Sequence, residues 1–291
     1  MNLPPAFRSV RSELIPLAAL LLSMISITSG VSFARSLFPI IGPAATTTLR
    51  LALAAFMLAL IMRIWRLRTD WRSVGAALPY GIALGCMNMM FYFAIERIPL
   101  GVAMAVEFIG PLSLAVFFSR NRSDFLWVGL TVIGLFLLLP LRHDSHPIDP
   151  YGLLWSLGAG GFWAIYILMG KRAGAVFGSY APALGMIIGT LTVLPFGLTH
   201  VSTDLLRPAT IFAALALAAL SGAIPYSLEM YALRKIPTKS FSVLTSAEPA
   251  VGAIMGTLML DESLPFADWL GIAAIVASSL GTTLTSRKTV P

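Results

Sequence analysis

Residues 94–112 read AIERIPLGVAMAVEFIGPL, and residues 232–250 read ALRKIPTKSFSVLTSAEPA. In each stretch an Ile-Pro pair leads into an apolar run that holds a second proline twelve positions on. Ile98 and Ile236, Pro99 and Pro237, and Pro111 and Pro249 all stand 138 residues apart. Working outward, Trp127-Val128-Gly129 returns as Trp269-Leu270-Gly271 at an offset of 142, and Pro43-Ala44 returns as Pro182-Ala183 at 139. Three prolines matched at nearly one offset, 138 twice and 139 once, indicate an internal repeat, which divides the chain into residues 1–143 and 144–291.

Composition says what is repeated. Of the 291 residues, 57% are apolar and 11% charged, and mean hydropathy is +0.85. A soluble domain carries about 25% charged residues, so this chain has too little charge to cover a water-facing surface, and too much apolar content for disorder. A bilayer core about 30 Å thick takes about 20 apolar residues per helix. Ten segments qualify: 14–33, 44–62, 73–95, 101–119, 125–141, 151–170, 180–199, 210–233, 240–260 and 266–285. The fold class expected is an all-α polytopic membrane protein of ten helices. Each half holds five. Five is odd, so the second half enters the membrane inverted, an arrangement used by secondary transporters with a binding site at the repeat interface. The run after Arg8 and Arg11 is too long for a signal-peptide core of about 7–15 residues and is read as a retained first helix.

The net charge of +7 is explained by position. With ten crossings, fifteen Lys and Arg residues fall on one side: Arg8, Arg11, the Arg63–Arg72 cluster, Arg120, Arg122, Lys171, Arg172, Arg234, Lys235, Lys239, Arg287 and Lys288. Four fall on the other: Arg35, Arg97, Arg142 and Arg207. Basic residues collect on the cytoplasmic side, so both termini are expected there. The positive balance is topogenic, and nucleic acid is not expected as a partner; the lipid bilayer is.

Charge inside a span costs about 2.5–3.5 kcal/mol on insertion scales and marks function by default. Arg50, Glu107, Glu229 and Glu248 are such residues. Arg50 and Glu107 each lie about six residues, roughly 9 Å, from the outer end of a helix. Arg50 is suited to hold a carboxylate bidentately and Glu107 an ammonium group or a proton; a structural pair between the two is the other possibility. Pro111 removes the donor for the Glu107 carbonyl four residues back, leaving either an exposed ligand for a cation or a packing kink. Glu248, in mid-helix before Pro249, is a candidate for substrate ammonium or a coupling proton, against a buried hydrogen bond. Glu229 sits near the cytoplasmic end of its helix and either carries a proton or reaches the interface to pair with Lys or Arg. Asn88, Tyr92, Trp163, Tyr166 and Tyr226 offer hydrogen bonds and aromatic walls to a substrate, or simple packing. Trp65, Trp71 and Trp127 look like interface anchors. Gly81/Gly85, Gly185/Gly189 and Gly252/Gly256 have the spacing for close helix contact.

Other chemistry has little support. His143, His146 and His200 fall in outer loops and form no metal cluster. There is no phosphate-binding loop for ATP and no nucleophile–base arrangement inside a span. No catalytic residue, cofactor or metal is assigned, and the chain is read as a transporter rather than an enzyme. A membrane-embedded enzyme or lipid-handling protein is the non-transport alternative. Cys86 is the sole cysteine, so no disulfide forms within the chain.

The sequence also resembles the drug/metabolite transporter superfamily, in its branch with two EamA repeats. The resemblance is carried by Ala34–Pro39 (ARSLFP), Leu49–Leu53 (LRLAL), Pro99–Leu112, Phe162–Ala175 (FWAIYILMGKRAGA) and Pro225–Ala250. It implies ten helices around a central cavity in a bacterial inner membrane. It also implies export of small zwitterionic amino acids, threonine and homoserine first, coupled to protons. Other members handle aromatic amino acids, cysteine-pathway compounds, purines and drugs. Arg50, Glu107, Glu229 and Glu248 all lie in the matching segments. The resemblance supports their importance without assigning a role to each. The roles expected come from the residues themselves, since one buried cation with several buried acids suits a zwitterion, with Arg50 on the α-carboxylate, Glu107 or Glu248 on the α-ammonium, and Glu107, Glu248 or Glu229 on the proton.

Overall fold

In the computed structural model every described element is a helix, and no strand occurs among the described residues. These are residues 5–67, 71–98, 100–117, 122–138, 149–199, 207–237, 241, 244–260, 266–267, 269–271, 273–274, 277–278 and 281. The helices are α1 (Pro5–Ala34), α2 (Phe38–Met62), α3 (Trp71–Arg97), α4 (Leu100–Glu107), α5 (Ile109–Phe117), α6 (Arg122–Leu138), α7 (Pro150–Phe177), α8 (Ala181–Leu198), α9 (Pro208–Ala218), α10 (Ile224–Lys235) and α11 (Glu248–Leu260). A π turn, Ala219–Ala223, joins α9 to α10 without a break.

Where ten spans were expected, five stretches among the described residues are long and apolar enough to cross a membrane: Leu14–Ala34, Phe38–Met62, Val74–Arg97, Pro150–Leu198 and Pro208–Lys235. The differences have local causes. The expected 101–119 span is split at Phe108, because Pro111 cannot donate to the Glu107 carbonyl. Phe125–Gly134 and Ala250–Met259 are shorter apolar helices. The expected last span falls partly outside the described residues. Pro150–Leu198, at 49 residues, is longer than one crossing needs and does not run straight. Gly178, at φ +59°, ends α7 in a conformation that only glycine adopts at no cost, and the chain reverses. Along α7, Gly152 lies against Ile98, Gly158 against Met90 and Gly170 against Tyr80, so α7 runs antiparallel to α3. Along α8, Gly185 meets Tyr80 and Gly189 meets Leu84, so α8 runs parallel to α3.

Small residues set these contacts. The Gly81/Gly85 pair of α3 packs on the Gly185/Gly189 pair of α8, and a Cβ at Gly85 would lie 2.7 Å from the Gly189 carbonyl oxygen. Without a hydrophobic drive between helices in lipid, such backbone approach is the main source of packing energy. The other main pairings are α1 with α10, α2 with α8, α2 with α9 and the π turn, α1 with α11, α7 with α4 and α5, and α4 with α11. At one end of α7, Lys171 Nζ donates to the Ile236 carbonyl at 2.9 Å, satisfying an end of α10. At the other, Asp149 caps α7 by accepting from Tyr151 N at 2.8 Å, and pairs with Arg97 of α3 at 3.0 Å.

Large apolar side chains face outward from the bundle, among them Phe56, Ile61, Leu191 and Phe212, a surface suited to lipid. Trp65 is exposed, as an interface anchor would be. Trp127 differs from that expectation. Gly281 packs against its ring, and its carbonyl accepts from Ser278 Oγ at 2.6 Å, so it joins α6 to the C-terminal helical residues. The Trp71 side chain lies outside the described residues.

Candidate functional site

A cavity lies at the centre of the bundle, walled by α1, α2, α3, α4, α7, α10 and the start of α11. Arg50 is its least expected occupant, at 1% exposed. What holds a guanidinium there begins at a proline. In the π turn the Ile224 N–H donates to the Ala219 carbonyl, five residues back. Pro225, next in the chain, has no N–H to donate. The carbonyls of Leu220 and Ser221 are left for partners outside the helix. Ser26 Oγ of α1 donates to the first at 2.5 Å, and Arg50 Nη1 of α2 donates to the second at 2.8 Å.

The rest of the Arg50 fork is set by α3. Arg50 Nη2 donates to Asn88 Oδ1. The Asn88 amide in turn donates to the Leu84 carbonyl at 2.8 Å and to the Tyr226 hydroxyl at 2.7 Å. The guanidinium carbon sits 4.9 Å from the centre of the Tyr92 ring, a cation–π contact worth about 0.5–2 kcal/mol. Arg50 Nε and the Tyr92 hydroxyl are buried without a hydrogen-bond partner.

Three carboxyl groups share the cavity: Glu107, Glu229 and Glu248. Glu107 and Glu229 are buried and Glu248 half-buried. None reaches Arg50, since the one ion pair among the described residues is Arg97–Asp149. The structural Arg50–Glu107 pair considered from the sequence is therefore not formed. Glu229 is also not at the interface with a basic partner: six residues short of the end of α10, it is deep enough to face the cavity. The Glu107 carbonyl freed by Pro111 is turned away from any ligand. It points at α7, where a Cβ on Gly160 would stand 2.3 Å from it, so the proline serves helix packing.

Trp163 lines the cavity, but Tyr166 does not. Tyr166 is stacked on Tyr80, ring centres 5.1 Å apart, and meets Tyr226 edge-on at 5.9 Å, forming a second layer behind the wall. Sequence reasoning passed over α1, whose Ser23, Met24 and Ile27 line one side. The sign was there in its Ser/Thr positions 23, 26, 28, 29 and 32. Most bond back to their own helix, but Ser23 Oγ donates across to the Pro225 carbonyl at 3.0 Å. Thr245 was also missed.

A mostly apolar cavity that holds a buried cation and three carboxyl groups, enclosed by helices apolar enough for lipid, fits a membrane transport protein, and the chain belongs to the EamA-like transporter family, whose model matches residues 150–284. That is the branch of the drug/metabolite transporter superfamily that the sequence resembled. The chain is 46% identical over 274 residues to the threonine/homoserine exporter RhtA of Escherichia coli (strain K12), covering 94% of this chain and 93% of that one. It is 26% identical over 261 residues to the uncharacterized transporter YwfM of Bacillus subtilis (strain 168), covering 82% and 86%. A crystal structure of a protein 17% identical to this one aligns with a TM-score of 0.72 over 94% of this chain and 99% of that chain, so the fold is shared.

Proposed function

We propose that the protein exports small neutral amino acids, threonine and homoserine first, by alternating access across a bacterial inner membrane. The observation that carries the reading is the buried Arg50 guanidinium, which has no acidic partner among the described residues and shares its cavity with three carboxyl groups. An isolated buried cation costs several kcal/mol, and the α-carboxylate of a zwitterion would supply its counter-charge. Glu107 or Glu248 would take the α-ammonium, and the remaining carboxyls, Glu229 included, would carry the coupling proton. Asn88, Tyr92, Trp163 and Tyr226 shape the wall around the substrate, with Tyr166 supporting them from behind. The extent of identity to the Escherichia coli exporter, over nearly the whole of both chains, supports the choice of substrate.

The proposed architecture is ten crossings in two inverted halves, residues 1–143 and 144–291, with both termini cytoplasmic. The helix pairings support it. Taking α7 as the counterpart of α1, α8 of α2, α9–α10 of α3, and α11 of α4–α5 turns each main contact into another. The pair α3–α7 exchanges with α10–α1, and α3–α8 with the pair of α9 and α2. The pair α4–α7 exchanges with α11–α1, while α2–α8 and α4–α11 map onto themselves.

The test is efflux of labelled threonine from loaded cells, with and without the protein at matched expression. Faster efflux that collapses with a protonophore is expected. Threonine efflux that does not depend on the protein removes threonine as substrate. Normal transport by Arg50→Gln, Glu107→Gln and Glu248→Gln alike removes the assignment of roles.

A further inference from the structure

Arg50 presents five N–H donors, and its hydrogen-bond partners among the described residues are both neutral: the Ser221 carbonyl and the Asn88 amide oxygen. Asn88 is fully engaged by the protein. Its oxygen accepts from Arg50, and its two N–H groups go to Leu84 and Tyr226. It has no donor left for a substrate. An aspartate has the same shape, and at this position it would put a carboxylate on the guanidinium in place of an amide.

We propose that Asn88 is a specificity-determining residue: it aims Arg50 while leaving the charge uncompensated, and its neutrality is what makes the cavity select ligands that bring their own carboxylate. This rests on the reading of the cavity as the amino-acid site. Three features converge on it. Arg50 Nε and the Tyr92 hydroxyl, both on the cavity wall, are buried donors without acceptors. The carboxyls of Glu107, Glu229 and Glu248 line the same space, yet none lies within ion-pair distance of Arg50. The two groups that fix the fork, Ser221 and Asn88, come from different helices, so its direction is set from both sides. Asn88 is thus a positioning residue whose charge state, rather than any contact of its own, sets the ligand class.

The experiment is thermal unfolding of the purified full-length protein in detergent, titrated with threonine and with 1-aminopropan-2-ol, which is threonine without its carboxylate. The unsubstituted protein is expected to be stabilised by threonine and not by the amine at the same concentration. Asn88→Asp is expected to lose at least about tenfold in threonine affinity, because its carboxylate occupies Arg50, and to lose the preference over the amine. Asn88→Ser, smaller but neutral, is expected to lose less than about tenfold and to keep the preference. Asn88→Asp binding threonine as the unsubstituted protein does overturns the proposal. So does a folded Asn88→Ser that no longer distinguishes the two compounds, and that result decides alone should Asn88→Asp not fold. An unsubstituted protein indifferent to threonine overturns the amino-acid reading, and this inference with it. A responsive one with an equally responsive Asn88→Asp overturns this inference alone.

Discussion

The Asn88 amide donates to the Tyr226 hydroxyl at 2.7 Å, and the two residues stand 138 positions apart, the offset that separates Pro99 from Pro237 and Pro111 from Pro249. Positions that correspond in the sequence repeat therefore touch in the centre of the bundle, beside the one buried guanidinium among the described residues. The bond is the last link in a chain from Ser221 through Arg50 and Asn88 to Tyr226. Tyr226→Phe keeps the ring against Tyr166 and removes only the acceptor. A buried donor left without a partner costs about 1–3 kcal/mol. Thermal unfolding in detergent should show Tyr226→Phe melting several degrees lower, whereas Tyr231→Phe, at an exposed position, should melt unchanged. Equal melting of the two would mean that the bond contributes nothing.

Gly160 and Gly161 are neighbours with opposite surroundings. A Cβ at Gly160 would come within 2.3 Å of the Glu107 carbonyl oxygen, a backbone atom that moves only if α4 moves; a Cβ at Gly161 would meet nothing within 4 Å. Gly160→Ala should force α4 and α7 apart and lower both the yield of folded protein and transport. Gly161→Ala should be neutral or stabilising, since alanine is favoured over glycine inside a helix by about 0.5–1 kcal/mol. Folded yield by size-exclusion chromatography compares them. A tolerated Gly160→Ala would place the α4–α7 contact elsewhere.

These cases show what the sequence could and could not convey. A charged residue in an apolar run is conspicuous, which is why Arg50, Glu107, Glu229 and Glu248 stood out and why all four turn up on one cavity. Rotation about a helix axis is much less visible. Trp163 and Tyr166 are three residues apart on α7, yet the first lines the cavity and the second stacks on Tyr80. Least visible are partners that are not side chains. The acceptor for Arg50 Nη1 is a carbonyl, and its only trace in the sequence is Pro225, four residues on. The same rule, applied to Pro111, identified the freed carbonyl of Glu107, but where it points depends on α7. The break at Phe108 was hidden for a related reason: hydropathy measures length, and that break is set by hydrogen bonding, whereas the division expected between residues 170 and 180 is there, made at Gly178 by backbone angle.

Asp149 gives a pH dependence outside the membrane-spanning stretches. The Arg97 guanidinium, and then the Tyr151 N–H, hold its carboxyl below the ordinary aspartate value of 3.8. A group whose value is depressed in the folded state stabilises above its unfolded value, and that contribution is lost as pH falls through the folded one. Asn is as good a helix N-cap as Asp, so Asp149→Asn removes the charge and keeps the cap. The melting-temperature difference between the two proteins should be constant from neutral pH down to about 5, shrink below about 4 and vanish in stronger acid. It should also shrink at high salt, because both partners are partly exposed and screened. A difference that persists into strong acid would assign the effect to the cap rather than to the ion pair.

The proposed placement of both termini on the cytoplasmic side rests on the distribution of basic residues and depends on an even number of crossings. A single segment that failed to cross would exchange the sides of every later loop, and the interrupted α4–α5 segment is where that risk is greatest. Cys86 is the sole cysteine, so Cys86→Ala provides a background in which single cysteines report their side of the membrane. Ser36→Cys, exposed in the turn between α1 and α2, should react with a membrane-impermeant thiol reagent on intact cells. Asn2→Cys and Ser286→Cys should react only after the membrane is opened. If α4–α5 does not cross, Ser286→Cys will be labelled on intact cells while Asn2→Cys stays protected. That result would make the number of crossings odd and leave the two halves unequal, and an inverted five-plus-five repeat would no longer be possible.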